Sequence, residues 1–226
     1  MGTRLQPYTF FVPKPLLPLG DKPLIEHLIL WLKKHGVKEF VVSVSYLRKM
    51  IESYLGDGTE LGVKISFVRS PSPMGISGQL LNVKDKVKST FFLLYGDSVF
   101  DFQINKMLEF HKRSKATLTM GLMHYDAKLP YGLIERDKDG RVLSWKEKPE
   151  IGGLINVGCY VSEPTIFKYI PKGRMYGFDS VVRDMMKAGE NVSSYVIEGQ
   201  EFMDIGDERS YRRVYDIFLQ KMGKVL

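Results

Sequence analysis

An α/β fold with a mostly parallel mixed sheet, helices on its faces and one inserted antiparallel hairpin is what this sequence predicts. Three observations carry that expectation. Helix-periodic and strand-like segments alternate along the chain, the pattern of a layered sheet with crossover helices. The runs "EFVVSVS" (39–45) and "STFFLLYGD" (89–97) are short and nearly continuously apolar, as strands buried on both faces are. Between two strand-like stretches of "YGLIERDKDGRVLSWKEKP" (131–149), Asp139-Gly140 supplies the dipeptide of a tight hairpin turn.

The elements follow in order. Gly2, Thr3 and Arg4 look like the end of a phosphate-binding turn, and Lys14 stands between Pro13 and Pro15. A helix near 22–35 carries Leu24, Ile25, Leu28, Ile29 and Leu32 on one stripe. After the strand at 39–45, a helix near 46–55 ends at Gly56-Asp57-Gly58, and "VKISFV" (63–68) is the next strand. "SPSPMG" (70–75) is a loop by its Pro and Gly content, and a short helix around 77–84 leads to the strand at 89–97. A helix at 104–114 and a strand at 116–123 precede the hairpin; a strand at 153–162 and a helix at 179–189 follow it. "VSSYVI" and "EFMDIG" are short strands, and the last helix, near 207–222, aligns Tyr211, Val214, Tyr215, Phe218 and Met222. No linker divides residues 1–226, which read as one domain of Rossmann-like organisation.

Composition narrows the function classes. The chain has 226 residues, 44% hydrophobic and 26% charged, enough for a full core without disulfides. Its single cysteine, Cys159, cannot form an intramolecular bridge, which points to a reducing, cytoplasmic setting. No apolar run approaches the roughly 20 residues that span a bilayer, so no membrane partner is expected. The formal net charge of +7 comes from scattered residues rather than a dense basic run, which argues against nucleic acid and suits a small polyphosphate ligand. The four histidines show no ligand spacing, and no nucleophile elbow is present, so covalent catalysis is disfavoured.

Candidate chemistry sits at strand ends, where ligands of open sheets bind. Asp97 ends one apolar strand and Asp204 another, in "FMDIG". Two such carboxylates can clamp Mg²⁺, which takes one or two carboxylates and leaves its remaining positions to water and phosphate. Capping of the helix that follows each aspartate is the structural alternative. Lys14, held by two prolines, is a positioned cation of the kind phosphoryl transfer needs, or else a solvated loop lysine. In "EKP" (147–149), Glu147 could accept from sugar hydroxyls while Lys148 meets a phosphate.

Taken together these stretches resemble the sugar-nucleotide pyrophosphorylase family, which joins a nucleoside triphosphate to a sugar 1-phosphate. "GTRLQPYTFFVPKPLLPLGDKPLIEHLI" is similar to the family signature, "SPMGISGQL" (72–80) to its base-contacting loop and "YGD" to its metal-bearing strand end. "YGLIERDKDGRVLSWKEKP" resembles the hairpin over the sugar, "INVGCYV" its Asn-x-Gly strand and "FMDIGDERSYRRV" its second metal segment. The resemblance implies a fold of the nucleotide-diphospho-sugar transferase type, with Mg²⁺ on Asp97 and Asp204. Arg4 and Lys14 would then act on the triphosphate, and Gly2, Gly75 and Gly78 would line the nucleotide. Gly132, Glu147, Lys148 and Asn156 would hold the sugar phosphate, and a homo-oligomer is compatible with it. A non-catalytic nucleotide-sugar-binding or regulatory homologue is the alternative function. Mannose-1-phosphate guanylyl and glucose-1-phosphate thymidylyl transfer are the first specificities to test. The family places an apolar strand and a glycine-rich stretch ahead of "GTRL", and the sequence has neither there. Unpaired backbone in mid-sheet and weak activity of this form are expected from that. Ile76 and Ser77 depart from the family's usual Thr and Ala, and no C-terminal β-helix follows.

Overall fold

The structure, a computed structural model, describes residues 3–70, 75–198 and 202–223. Gly2 and the first residues of the base-loop segment, 72–74, therefore lie outside the described residues. The N-terminal region holds a short helix α1 (Tyr8–Phe11), a 3₁₀ turn over Lys14–Leu16, and two short antiparallel strands, β1 (Pro18–Leu19) and β2 (Lys22–Pro23). Helix α2 (Leu24–Lys34) then buries Leu24, Ile25, Leu28, Ile29 and Leu32, the predicted stripe. Strand β3 (Glu39–Val44), helix α3 (Arg48–Leu55) and strand β4 (Lys64–Arg69) form a βαβ unit, in which β3 and β4 pair in parallel from Glu39↔Lys64 to Val44↔Arg69.

Helix α4 (Gly75–Asn82) leads to β5 (Phe91–Leu94) and β6 (Ser98–Phe100), and α5 (Ile104–Ser114) leads to the long strand β7 (Leu118–Lys128). The hairpin β8 (Leu133–Arg136) and β9 (Val142–Lys146) is set off from the main sheet, and β10 (Glu150–Ser162) runs back along β7. Helix α6 (Phe178–Lys187), β11 (Val192–Val196), β12 (Phe202–Asp204) and α7 (Glu208–Gly223) complete the order.

The sheet is mixed and flanked by helices, as the sequence predicts, but its parallel share is smaller than expected. The main sheet has the order β11-β7-β10-β5. Only β11 and β7 are parallel there; β10 is antiparallel to both β7 and β5. The hairpin excursion explains this, because β7 and β10 are consecutive arms on either side of it and a chain that turns back must pair antiparallel.

Helices cover both faces of this sheet. One cluster packs Leu80 of α4 and Val181, Val182 and Met185 of α6 against Leu118 and Tyr160. The opposite cluster packs Leu28 and Leu32 of α2 and Met107 of α5 against Val157, Cys159 and Val161. The alternation of Tyr160 with Cys159 and Val161 is the two-residue period of a strand buried on both sides. Burial pushes the Cys159 thiol up, away from the thiolate form that reacts. A third cluster ties the N-terminal turn to the C-terminal segment, with Leu5, Leu19, Leu24, Ile205 and Val214 all buried together.

Between β3 and β5 the architecture is open. Among the described residues, β3 pairs only with β4 and β5 only with β10. A cavity of about 770 Å³ separates them, lined by the whole of both strands together with Leu28 and Leu32 of α2 and Leu80 of α4. Two sheet edges facing one apolar gap leave backbone donors and acceptors without partners from either strand. Among the described residues no helix is long and apolar enough to cross a membrane.

Candidate functional site

The crevice forms where β5 gives way to Gly96-Asp97. Pro13, at φ −64° and ψ 140°, delivers the chain into the 3₁₀ turn, and Pro15 follows inside it. Two fixed backbone dihedrals flank Lys14 and restrict where its ammonium can reach. Its Nζ donates to Asp97 Oδ2 at 2.5 Å, with the side chains 14% and 34% exposed. Partial burial strengthens such a pair relative to a surface bridge.

Two further observations bring the predicted residues together. Strand β12 pairs antiparallel with β6 in a register that sets Asp204 opposite Ser98, the residue after Asp97. Arg4 is exposed beside the same C-terminal segment, and its charge reaches Asp207. Asp207 titrates below the usual carboxylate range chiefly because the Ser210 backbone N–H donates to it at 2.8 Å; the Ser210 hydroxyl and then Arg4 add to the effect. The buried contact cluster of Leu5 and Ile205 holds these two distant segments side by side.

A second cavity of about 690 Å³ adjoins the crevice, lined by Gly75, Tyr95, Asn156, Met175, Tyr176 and Phe178 among others. Tyr95 and Ile76 border both cavities. Gly75 opens α4 at φ +68°, a left-handed conformation that favours glycine, and Gly78 is buried within that helix. Asn156 lies where β10 slips against β7, pairing with Leu122 while Tyr160 pairs with Met120. Its Oδ1 accepts from the Gly158 N–H at 3.1 Å, and its Nδ2 donates to the Tyr160 hydroxyl at 2.6 Å. The Tyr95 and Tyr160 hydroxyls are 3.1 Å apart. Burial pushes the Tyr95 phenol up and raises Tyr160 as well, so both stay protonated at neutral pH.

The hairpin residues sit elsewhere. Gly132, Glu147 and Lys148 line neither cavity. Trp145 Nε1 donates to Glu147 Oε2 at 3.1 Å, and a Cβ on Gly132 would come within 3.1 Å of that indole nitrogen and 3.2 Å of the carboxylate. Lys148 is exposed at φ +41°, in the left-handed region. Asn156 alone of the four predicted sugar-side residues reaches the second cavity. Sequence reasoning missed Tyr95 and the aromatic wall at Tyr176 and Phe178. The signals were there: a tyrosine directly before Gly96-Asp97, and aromatics bracketing Gly177.

Among the described residues no group of three or more His, Cys, Asp or Glu side chains is disposed to hold a metal. Asp97 directly precedes β6 and Asp204 ends β12, which pairs with β6; Mg²⁺ itself needs only one or two carboxylates and completes its shell with water and phosphate.

Known proteins match this arrangement along nearly the whole chain. A mannose-1-phosphate guanylyltransferase of Mycobacterium tuberculosis is 30% identical over 216 residues, covering 94% of this chain and 60% of that protein. A D-glycero-alpha-D-manno-heptose 1-phosphate guanylyltransferase of Campylobacter jejuni is 30% identical over 212 residues and covers 93% of both. This chain spans about 50–63% of the length of several curated relatives it matches, the Mycobacterium protein among them. Among solved structures, HddC from Yersinia pseudotuberculosis superposes with a TM-score of 0.72 at 25% identity, covering 92% of this chain and 90% of that one. The sequence profile described as "Nucleotidyl transferase" matches residues 1–221, and this chain belongs to that family.

Proposed function

We propose that this protein transfers a nucleoside monophosphate from a nucleoside triphosphate to a sugar 1-phosphate, giving a nucleotide sugar and pyrophosphate. The observation that carries the reading is the Lys14–Asp97 pair at 2.5 Å, a cation and a carboxylate held at a strand end with Asp204 on the adjoining strand. Lys14 and Arg4 neutralise charge on the triphosphate, which is the main demand of phosphoryl chemistry. A sugar-phosphate oxygen attacks the α-phosphorus in line, and pyrophosphate leaves, so no protein nucleophile is required. Asp97 and Asp204 would hold Mg²⁺, whose charge would draw electron density from the phosphate oxygens. The second cavity, at about 690 Å³, falls within the usual range for small-molecule sites. Gly75 borders it on the nucleotide side and Asn156 on the sugar side; Gly78 is buried within α4, and Glu147 and Lys148 would reach the sugar phosphate from the hairpin.

GTP with mannose or heptose 1-phosphate are the first substrates to test, since relatives carry the names of those guanylyltransferases, with UTP or dTTP and glucose 1-phosphate next. The single buried thiol supports a reducing, cytoplasmic setting, and exposed Leu143 and Trp145 on the hairpin support self-association. Pyrophosphate release measured over a panel of triphosphates and sugar 1-phosphates with Mg²⁺ tests the proposal; no release with any pair refutes turnover. The open gap beside Lys14 favours a second reading, nucleotide-sugar binding without turnover. Titration with nucleotide sugars separates the two, since binding without pyrophosphate release supports the second.

A further inference from the structure

Tyr95 joins the two halves of the site. Its backbone N–H donates to Gly158 O at 3.2 Å, carrying the β5–β10 pairing one step past Leu94 and Cys159. Its ring lies on Gly158, where an added Cβ would come within 2.5 Å of the ring and where φ is +72°. The next two residues are Gly96 and Asp97, so whatever Tyr95 touches lies beside the phosphate chemistry.

The hydrogen bonds around it have a direction. An amide nitrogen only donates, so Asn156 Nδ2 gives its proton to the Tyr160 oxygen. Tyr160 is completely buried, and among the described residues the Tyr95 hydroxyl is the acceptor within its reach. If Tyr95 donated to Tyr160, the Tyr160 proton would be buried without a partner, an arrangement folded proteins avoid. Tyr160 therefore donates to Tyr95. The Tyr95 proton is left over, on a residue that lines the second cavity together with Asn156. Asn156 is in turn held by the Gly158 N–H, so the chain of donors is anchored in the β10 bulge.

We propose that Tyr95 is a specificity-determining residue whose hydroxyl donates to a ring hydroxyl oxygen of the sugar 1-phosphate, with Tyr160 and Asn156 as positioning residues. This rests on the transferase reading above. The arrangement selects a sugar with an acceptor oxygen at one ring position and disfavours the corresponding deoxy sugar, because a donor that the bound sugar covers and leaves without a partner is costly.

Calorimetric titration of the wild type and Tyr95→Phe with mannose, glucose and heptose 1-phosphates, their monodeoxy analogues, and the triphosphates tests this. Tyr95→Phe is expected to weaken the preferred sugar 1-phosphate roughly tenfold, the loss of one hydrogen bond, and to leave triphosphate affinity unchanged. One monodeoxy analogue should bind equally to both proteins, identifying the oxygen that Tyr95 meets. Tyr160→Phe, which cuts the relay one step earlier and keeps both rings, should weaken the same sugar in the same sense and serves if Tyr95→Phe does not fold. Unchanged sugar affinity in the folded variants, or equal losses for sugar and triphosphate, overturns the assignment of Tyr95. A wild type that binds triphosphate but none of the sugar phosphates overturns the transferase reading itself, and the role of Tyr95 with it.

Discussion

Placing one more strand between β3 and β5 perturbs the most open part of this structure. Among the described residues both strands present an unpaired edge to the cavity of about 770 Å³, and β3 offers six residues, Glu39–Val44, for pairing. A six-residue apolar strand with a glycine turn, joined ahead of Met1, would end at the crevice side, where the cavity wall includes Thr9, Lys14 and Asp97. Burying a Val or Ile side chain contributes about 1.5–3 kcal/mol, and fixing its backbone costs about 1–2 kcal/mol. About 1 kcal/mol per residue remains, on the order of 6 kcal/mol for the strand. For a chain of this size that corresponds to a rise in Tm of roughly 10–20 °C. The assay is thermal unfolding by circular dichroism alongside amide exchange at 39–44 and 91–94, with a control insert of the same length carrying alternating lysines. Pyrophosphate release should rise with the glycine turn, since one preorganised phosphate donor is worth roughly a hundred- to a thousandfold in rate. An unchanged Tm, or an equal gain from the lysine control, would refute the view that the gap is a strand site.

Asp97→Asn and Asp204→Asn should each lower Mg²⁺-dependent pyrophosphate release by about a hundredfold or more while leaving the circular dichroism spectrum unchanged; near-normal release in either removes that residue from the metal assignment. Lys148→Ala should weaken sugar 1-phosphate by roughly 1.5–3 kcal/mol and triphosphate far less, as measured by separate KM values; equal losses reject the division. Glu190 accepts from the Thr117 and Tyr169 hydroxyls, each at 2.7 Å, and these bonds, Thr117 first, hold it below its ordinary value of 4.5. A depressed carboxylate stabilises the fold above its ordinary value and loses that contribution as pH falls through the lowered one. Glu190→Gln should therefore flatten the acid side of the Tm profile below about pH 4.5, by under about 1 kcal/mol at this solvent-facing position, and an unaltered slope would exclude the effect. Gly158→Ala should lower Tm markedly, because the new Cβ meets the Tyr95 ring at 2.5 Å in a backbone conformation at φ +72°; a Tm within 1–2 °C of wild type, the scale of a few tenths of a kcal/mol, would show that the bulge yields.

Local chemistry made the elements legible in the sequence. The stripe of α2, the apolar runs of β3 and β5 and the hairpin at Asp139-Gly140 all lie where periodicity and turn residues put them, because those signals act over a few neighbouring residues; β3 and β5 are only half-buried, since they line the open gap. Strand ends could also be read in the sequence, which marks Asp97 and Asp204, while the flanking prolines mark Lys14. Pairing could not be read, because it depends on contacts between segments far apart in the chain. The antiparallel course of β10 and the placement of Asn156 in one cavity with Glu147 outside it follow from such contacts, whereas the open gap between β3 and β5 agrees with the unpaired mid-sheet backbone that the resemblance implied. Tyr95 shows the difference most plainly. In the sequence it is one aromatic residue before a Gly-Asp pair; only the slip of β10 at Gly158 brings Tyr160 and Asn156 to it, and that contact is what directs its hydroxyl.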